Sequence, residues 1–220
     1  KKGSRAAFDD HISCYPYAKD GYNQYFDKIL KIKNVKVLFN SFANKFNLKR
    51  KTVQINGRKD SFDILINTIA PDEIFDYQHG RLKFIGRDFH KIVLPMESCF
   101  PKDVYFLYYA NSEQFTRIVE YKRFTLHKSP TTLLGLEIPS KNGKFYPLPL
   151  YDQQVLAKKY HDMLPKNFFS IGRNGTYRYG VDIDDCIEQG LATAEIIKND
   201  LWEHAVPLEK HRSFSFGGVS

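Results

Sequence analysis

Apolar residues recur at helical spacing in three parts of the chain and alternate or run together in most of the remainder. From Gly21 to Ile32, "GYNQYFDKILKI" sets Tyr22, Tyr25, Phe26, Ile29 and Leu30 on one face, which predicts a helix with Asp20 as its cap. "DQQVLAKKYHDML" at 152–164 returns to that spacing. A third helix is predicted from about 185 to 202, with Ile187, Leu191, Ala194, Ile197 and Leu201 in one stripe. Between them, "VKVLFN" (35–40) reads as a short strand. "FNLKRKTVQING" and "RKDSFDILINTI" read as two strands joined by an Asn-Gly turn at 56–57. The nearly unbroken apolar run of "FDILINTIAP" predicts a buried central strand.

The middle of the chain has another texture. "RLKFIGRDF", "DVYFLYYA", "FTRIVEYKRFT" and "TTLLGLEIP" are β-prone segments divided by Pro, Gly, Asn and Lys, which predicts a mostly antiparallel sheet. "NFFSIGR" (167–173) then reads as a strand running into a glycine turn ahead of the last helix. The expected fold class is therefore α/β in the mixed α+β sense, an α/β layer beside a mostly antiparallel sheet.

Composition narrows the partners. A net charge of +8 over 220 residues favours anionic ligands. The lysines are dispersed apart from "KRK" at 49–51, which argues against a nucleic-acid-binding stripe. Cys14, Cys99 and Cys186 are distant and odd in number, and no histidine spacing matches a metal motif, so neither a disulfide framework nor a metal site is expected. No apolar run reaches membrane-spanning length, and a cytoplasmic protein is expected. The opening "KKGSRAAFDD" lacks a strand-turn-helix start, so the chain is expected to begin partway through a fold. "HRSFSFGGVS" reads as a loose tail within 204–220.

Candidate chemistry concentrates in "GRNGTYRYGVDIDD" at 172–185. Asp185 and Glu188 have capping-box spacing, and a glycine turn ahead of a helix start suits an anion, with Arg173 and Arg178 as charged donors. A capped helix with solvated arginines accounts for the same spacing. Arg117 shares a strand face with Val119 and Tyr121, opposite Thr116, Ile118 and Glu120. Tyr146 precedes a proline and is expected to be extended. No G-x-S-x-G or Cys-His frame supplies a nucleophile, and Glu97, Glu120, Glu137, Asp182 and Asp184 stay unassigned as acid-base groups.

Read in order, these stretches resemble the UDP-galactopyranose mutase family. The family's "GR-x-G-T-Y-R-Y", acidic run and "A-x-x-T-A-E" helix stand here as "GRNGTYRYGVDIDDCIEQGLATAE". Its "YTRI-x-E-x-K-x-F" is "FTRIVEYKRF", and its "R-x-x-x-DD…GY-x-Q" is "RAAFDDHISCYPYAKDGYNQ". Its "P-x-D-x-F-x-Y-Q-x-G-x-L" is "PDEIFDYQHGRL", and "FYPLPL" stands at its "YYP". The resemblance spans Arg5 to about Asn199. It implies an isomerase with FAD as cofactor that interconverts pyranose and furanose forms of a UDP-sugar for surface glycans. The reduced flavin's N5 is the nucleophile, so the hard chemistry is the cofactor's. By position, Arg5 and Arg117 look like catalytic clamps on the diphosphate, joined in substrate binding by Tyr15, Glu137, Tyr146 and Tyr179. Gly172, Arg173, Gly175, Tyr179 and Asp182 look like cofactor contacts, and the family suggests a homodimer.

Three departures qualify the resemblance. The dinucleotide fingerprint G-x-G-x-x-G is absent, so a complete FAD site requires a further segment on the same or another chain. "GVD" after Tyr179 carries one extra residue before Asp182, and the family's "Q-G-x-P" is shortened to "YPYAKD". The sugar need not be galactose. The expected division is a Rossmann-like FAD-binding domain from 20–70 and 165–203, and a substrate-side antiparallel domain from 1–19 and 71–164. A flavin-independent UDP-sugar binding protein and a diverged flavin oxidoreductase are the competing readings.

Overall fold

The computed structural model describes Tyr15 and residues 20–202. Two compact units emerge, one from residues 1–39 and 88–139, the other from 40–87 and 140–220. In chain order the elements are α1 (Tyr22–Leu30), β1 (Ala43–Asn47), β2 (Thr52–Ile55), β3 (Arg58–Ser61), β4 (Leu65–Asn67) and α2 (Pro71–Ile74). They continue as β5 (Phe84–Leu94), β6 (Phe106–Tyr108), β7 (Arg117–Glu120), α3 (Tyr121–Thr125) and β8 (Thr132–Ser140). The last are β9 (Tyr146–Pro147), α4 (Tyr151–His161), β10 (Phe168–Ser170), α5 (Gly172–Gly175) and α6 (Ile183–Trp202). The fold is mixed α/β with mostly antiparallel sheets, as the pattern predicts.

In the first unit, β6, β7 and β8 form an antiparallel meander, with β5 next in the strand order. Arg117 faces Tyr108 on one side and Glu137 on the other. Val119, Leu134 and Phe100 are buried, and so is Glu120. β7 ends at Glu120, where the expected strand turns into α3. The buried Glu120 carboxylate accepts from the amides of Cys99 and Phe100, from Thr132 Oγ1 at 2.6 Å, and from Arg123 one turn later. That network draws the chain out of the sheet. α1 begins after Gly21 without a side-chain cap, so Asp20 contributes only its carbonyl, to the Asn23 amide. No strand forms at 35–40.

The second unit opens with a β1-β2-β3 meander. Its Asn56-Gly57 turn is the predicted one, both residues having positive φ. The expected single strand at 46–55 is broken by a second turn, where Asn47 Oδ1 accepts the Arg50 amide and Lys51 takes a positive φ. β4 pairs in parallel with β10, and no third strand joins them among the described residues. Ile66 in β4 is therefore 49% exposed, in contrast to the buried central strand expected from its apolar run.

The core of this unit contains Leu82, Ala157, Tyr160 and Tyr177. Both tyrosine hydroxyls are satisfied there. Tyr160 donates to the Gly80 carbonyl and accepts the His79 amide, while Tyr177 donates to the Lys83 carbonyl. Burial pushes the Tyr177 phenol up to about 12. Gln153 of α4 accepts the Lys83 amide and Asp72 of α2 accepts that of Leu82, which fixes the loop leading into β5.

α6 carries its predicted stripe, but the first two residues of that stripe do not face this core. Ile187 and Leu191 are 48% and 65% exposed, whereas Gln189 and Thr193 are buried. Gln189 turns inward because its Oε1 accepts the Gly172 amide at 2.7 Å. The helix also starts at Ile183, two residues earlier than expected. Asp185 reaches back to the Asp182 amide at 2.8 Å, so the capping contact is Asp182–Asp185 instead of Asp185–Glu188.

Candidate functional site

In the first unit, cross-strand register alone brings Arg117 and Glu137 together. The guanidinium grips the carboxylate through Nε at 3.0 Å and Nη2 at 2.8 Å, and its Nη1 lies 3.4 Å from the Tyr108 hydroxyl. Burial works against the Arg117 cation, but the Glu137 bonds outweigh it and hold its pKa above the ordinary value. The pair is formally neutral. Arg117 is thus a rigid directional donor, its fork held by Glu137 through Nε and Nη2 and by the Tyr108 hydroxyl through Nη1.

Tyr15 packs edge-on against Phe124, with ring centroids 4.6 Å apart. Burial raises the Tyr15 phenol pKa, and the nearby tyrosines Tyr22, Tyr105 and Tyr108 add to this while Arg117 opposes it. Tyr15, Tyr108, Arg117 and Glu137 therefore form one electrostatic neighbourhood. Arg5, expected beside Arg117, lies outside the described residues, as do residues 204–220.

In the second unit, the segment after β10 is a single tight turn of helix. Gly172 has φ near 75°, a left-handed conformation that favours glycine. A Cβ on Gly175 would sit 2.9 Å from the Asn67 carbonyl and 3.2 Å from Ser170 Oγ. Gly175 is thus needed for close packing on β4 and β10, and Gly172 for its backbone conformation. His161 Nε2 stands 2.9 Å from the Gly175 carbonyl, and burial depresses the imidazole pKa. The anion cradle expected from this turn is altered: the Gly172 amide is committed to Gln189 and the Asp182 amide to Asp185.

What the turn exposes is side chains. Arg173 donates from Nε to the Val181 carbonyl at 2.8 Å and from Nη2 to Asp182 at 2.7 Å. Its guanidinium carbon lies 5.0 Å from the Tyr146 ring centroid, and the Tyr179 ring is 5.6 Å from that of Tyr146. Tyr146, from one stretch, and Arg173, Tyr179 and Asp182, from another, meet here. The extended conformation expected of Tyr146 is present as β9, paired with β5.

Some participants had no sequence signal. Tyr108 is found only through strand register, and Gln189 was hidden on the face of α6 opposite its apolar stripe. Arg87 approaches the Tyr146 ring to 4.9 Å from a strand that reads as ordinary. Among the described residues no group of His, Cys, Asp and Glu could hold a metal, and no helix is long and apolar enough to cross a membrane.

The sequence model of the UDP-galactopyranose mutase family matches residues 3–179. A crystal structure of reduced UDP-galactopyranose mutase superposes with a TM-score of 0.70 at 17% identity, over 88% of this chain and 54% of that one. The chain thus spans about half the length of that structure. The PF1083 protein from Pyrococcus furiosus aligns with a TM-score of 0.47 at 13% identity, over 74% of this chain and 48% of that one, too weakly to bear on the fold. No curated protein matches the sequence.

Proposed function

Because the chain belongs to the UDP-galactopyranose mutase family, we propose that it takes part in the pyranose-furanose isomerisation of a UDP-sugar, with FAD as cofactor. The observation that carries the proposal is the meeting of Tyr146, Tyr179 and Arg173, two phenol donors and a guanidinium suited to a flat, anionic ligand.

The described residues fit the ring end of a flavin and not its dinucleotide end. At the ring end, Arg173 is fixed by Val181 and Asp182 while Tyr179 stays half exposed. For a dinucleotide, the glycine turn offers no free cradle, since Gly175 packs on Asn67 and the Gly172 amide is taken. That end requires further polypeptide. The two-stranded parallel sheet and the uncovered stripe Ile183, Ile187 and Leu191 support such a partner surface, because parallel sheets are ordinarily covered on both faces.

When bound, the flavin supplies the nucleophilic nitrogen for the anomeric carbon of the sugar. This chain's part is to bind and neutralise the departing diphosphate. In this reading Arg117, oriented by Glu137, donates to phosphate oxygens, with Arg5 as the second cation and Tyr15 as a neutral donor; Tyr146 and Tyr179 are the neutral donors that the second unit offers. Donors fixed before the reaction stabilise the developing charge without reorganising. Asp182 orients Arg173.

Calorimetry with UDP tests the binding half: Arg117→Ala should weaken affinity by about 1.5–3 kcal/mol. Unchanged affinity would remove Arg117 from the site. The absorbance spectrum tests the flavin half. If added FAD yields no bound-flavin bands while UDP still binds, the second reading holds, a flavin-independent UDP-sugar binding protein. The committed Gly172 and Asp182 amides favour that alternative.

A further inference from the structure

Arg87 lies outside every motif discussed above, yet it approaches the same tyrosine ring as Arg173. Its guanidinium carbon is 4.9 Å from the Tyr146 centroid, against 5.0 Å for that of Arg173. Strand register explains the contact. Tyr146 of β9 pairs with Ile85 of β5, so Arg87, two residues further on, shares the face of Tyr146 as its diagonal neighbour. β9 is only two residues long and ends in Pro147, so its backbone gives the ring little hold. The ring's fixed position must come from its side-chain neighbours.

We propose that Arg87 is a positioning residue for Tyr146, immobilising its ring together with Arg173 so that the phenol meets the diphosphate of a nucleoside-diphosphate ligand. The inference rests on the UDP-sugar reading above. Two guanidiniums on one ring attract its electron-rich face. Arg173 is tethered to Val181 and Asp182, so it provides a fixed support, and Arg87 completes the hold from the adjacent strand. The role is geometric as well as electrostatic. Lysine in place of Arg87 would keep the charge and lose the planar stacking surface.

The test is a double-mutant cycle on the full chain, with UDP affinity measured by calorimetry. Tyr146→Phe, which removes only the hydroxyl, should weaken binding about tenfold, as for a hydrogen bond to a charged group. Arg87→Gln should weaken it by a similar factor in the wild-type background and by less than about twofold beside Tyr146→Phe, the non-additivity of groups acting as a unit. Arg87→Lys should recover only part of the loss. Equal losses from Arg87→Gln in both backgrounds, or no loss, would overturn the proposal. A wild-type chain that does not bind UDP would defeat the functional reading instead. The ring signal of Tyr146 in a carbon-13 tyrosine spectrum, identified by its disappearance in Tyr146→Phe, then decides the matter without ligand. A shifted or exchange-broadened signal in Arg87→Gln supports the positioning role, and an unchanged one refutes it.

Discussion

The Arg117–Glu137 pair can be dissected energetically, because its partners differ in burial. The Glu137 side chain is 3% exposed and that of Arg117 is 25% exposed. Removing Arg117 with Arg117→Met takes the bidentate counter-charge from a buried carboxylate, at a cost of about 3–5 kcal/mol. Removing the charge on the other side with Glu137→Gln leaves a guanidinium that water partly solvates and one amide oxygen that still accepts. That change should cost only about 1.5–3 kcal/mol. Replacing both, as Arg117→Met with Glu137→Leu, trades a desolvated ion pair for apolar contact beside Phe106, and should cost less than about 2 kcal/mol.

Urea unfolding followed by circular dichroism checks these values, with unchanged m-values marking a native-state effect. A fourth variant, Glu137→Leu alone, closes the cycle and should leave Arg117 facing an apolar side chain at about 3 kcal/mol. The coupling across the cycle should then reach at least about 3 kcal/mol, far outside the additivity seen for independent sites. If the double variant costs the sum of the singles, the two residues are not a pair, and the oriented-donor account of Arg117 fails with it.

Other consequences are more local. Glu120→Gln should cost about 2–3 kcal/mol in the same unfolding assay, since its carboxylate gathers two amides, Thr132 and Arg123 around one buried point. Burial pushes the Glu120 pKa up, but these donors prevail and hold it below the ordinary value, so its contribution is present above about pH 4.5 and is lost as pH falls through the folded value. His161 has a folded pKa below its unfolded one, so its contribution is complete above about pH 6.5 and declines as pH falls below that, because the unfolded chain takes up the proton more readily. The melting temperature should fall between pH 7 and pH 5 with a slope that His161→Phe reduces. Gly86→Ala would place its Cβ against the Asn142 carbonyl and should destabilise by more than about 3 kcal/mol, while Gly180→Ala, with open space around it, should change the urea midpoint little.

The periodicity of the chain located most elements, and the places where it failed share a cause. Propensity and spacing report on local preference, whereas the differences arise where one buried polar group recruits a distant one. β7 stops at Glu120 because that carboxylate satisfies amides about twenty residues upstream, a demand invisible in "FTRIVEYKRF". α6 presents Gln189 and Thr193 inward, against its own apolar stripe, because the Gly172 turn needs an acceptor. The strand at 65–67 reads as central from composition, yet has one neighbour among the described residues. An apolar run records how much burial a segment is built for, and the structure of one stretch of polypeptide records only the burial that stretch itself provides.

The same distinction separates the legible part of the site from the rest. Arg117, Tyr146, Tyr179 and Arg173 were reached through motif residues, but the motif could not say what each one touches. Arg117 is half of a neutral pair, and the glycine turn is closed by Gln189 instead of open to an anion. A phosphate approaching Arg117 therefore meets fixed donors with little net charge, so its affinity should depend on hydrogen-bond geometry more than on ionic strength. An approach to the Tyr146 ring meets Arg87 and Arg173 together, and the Asp182 carboxylate paired with Arg173 is exposed to solvent. Salt should screen that second site more strongly than the first. UDP affinity measured across a salt series should accordingly lose more of its salt dependence in Arg173→Gln than in Glu137→Gln. The reverse ranking would mean that the charge steering the ligand lies with Arg117 after all.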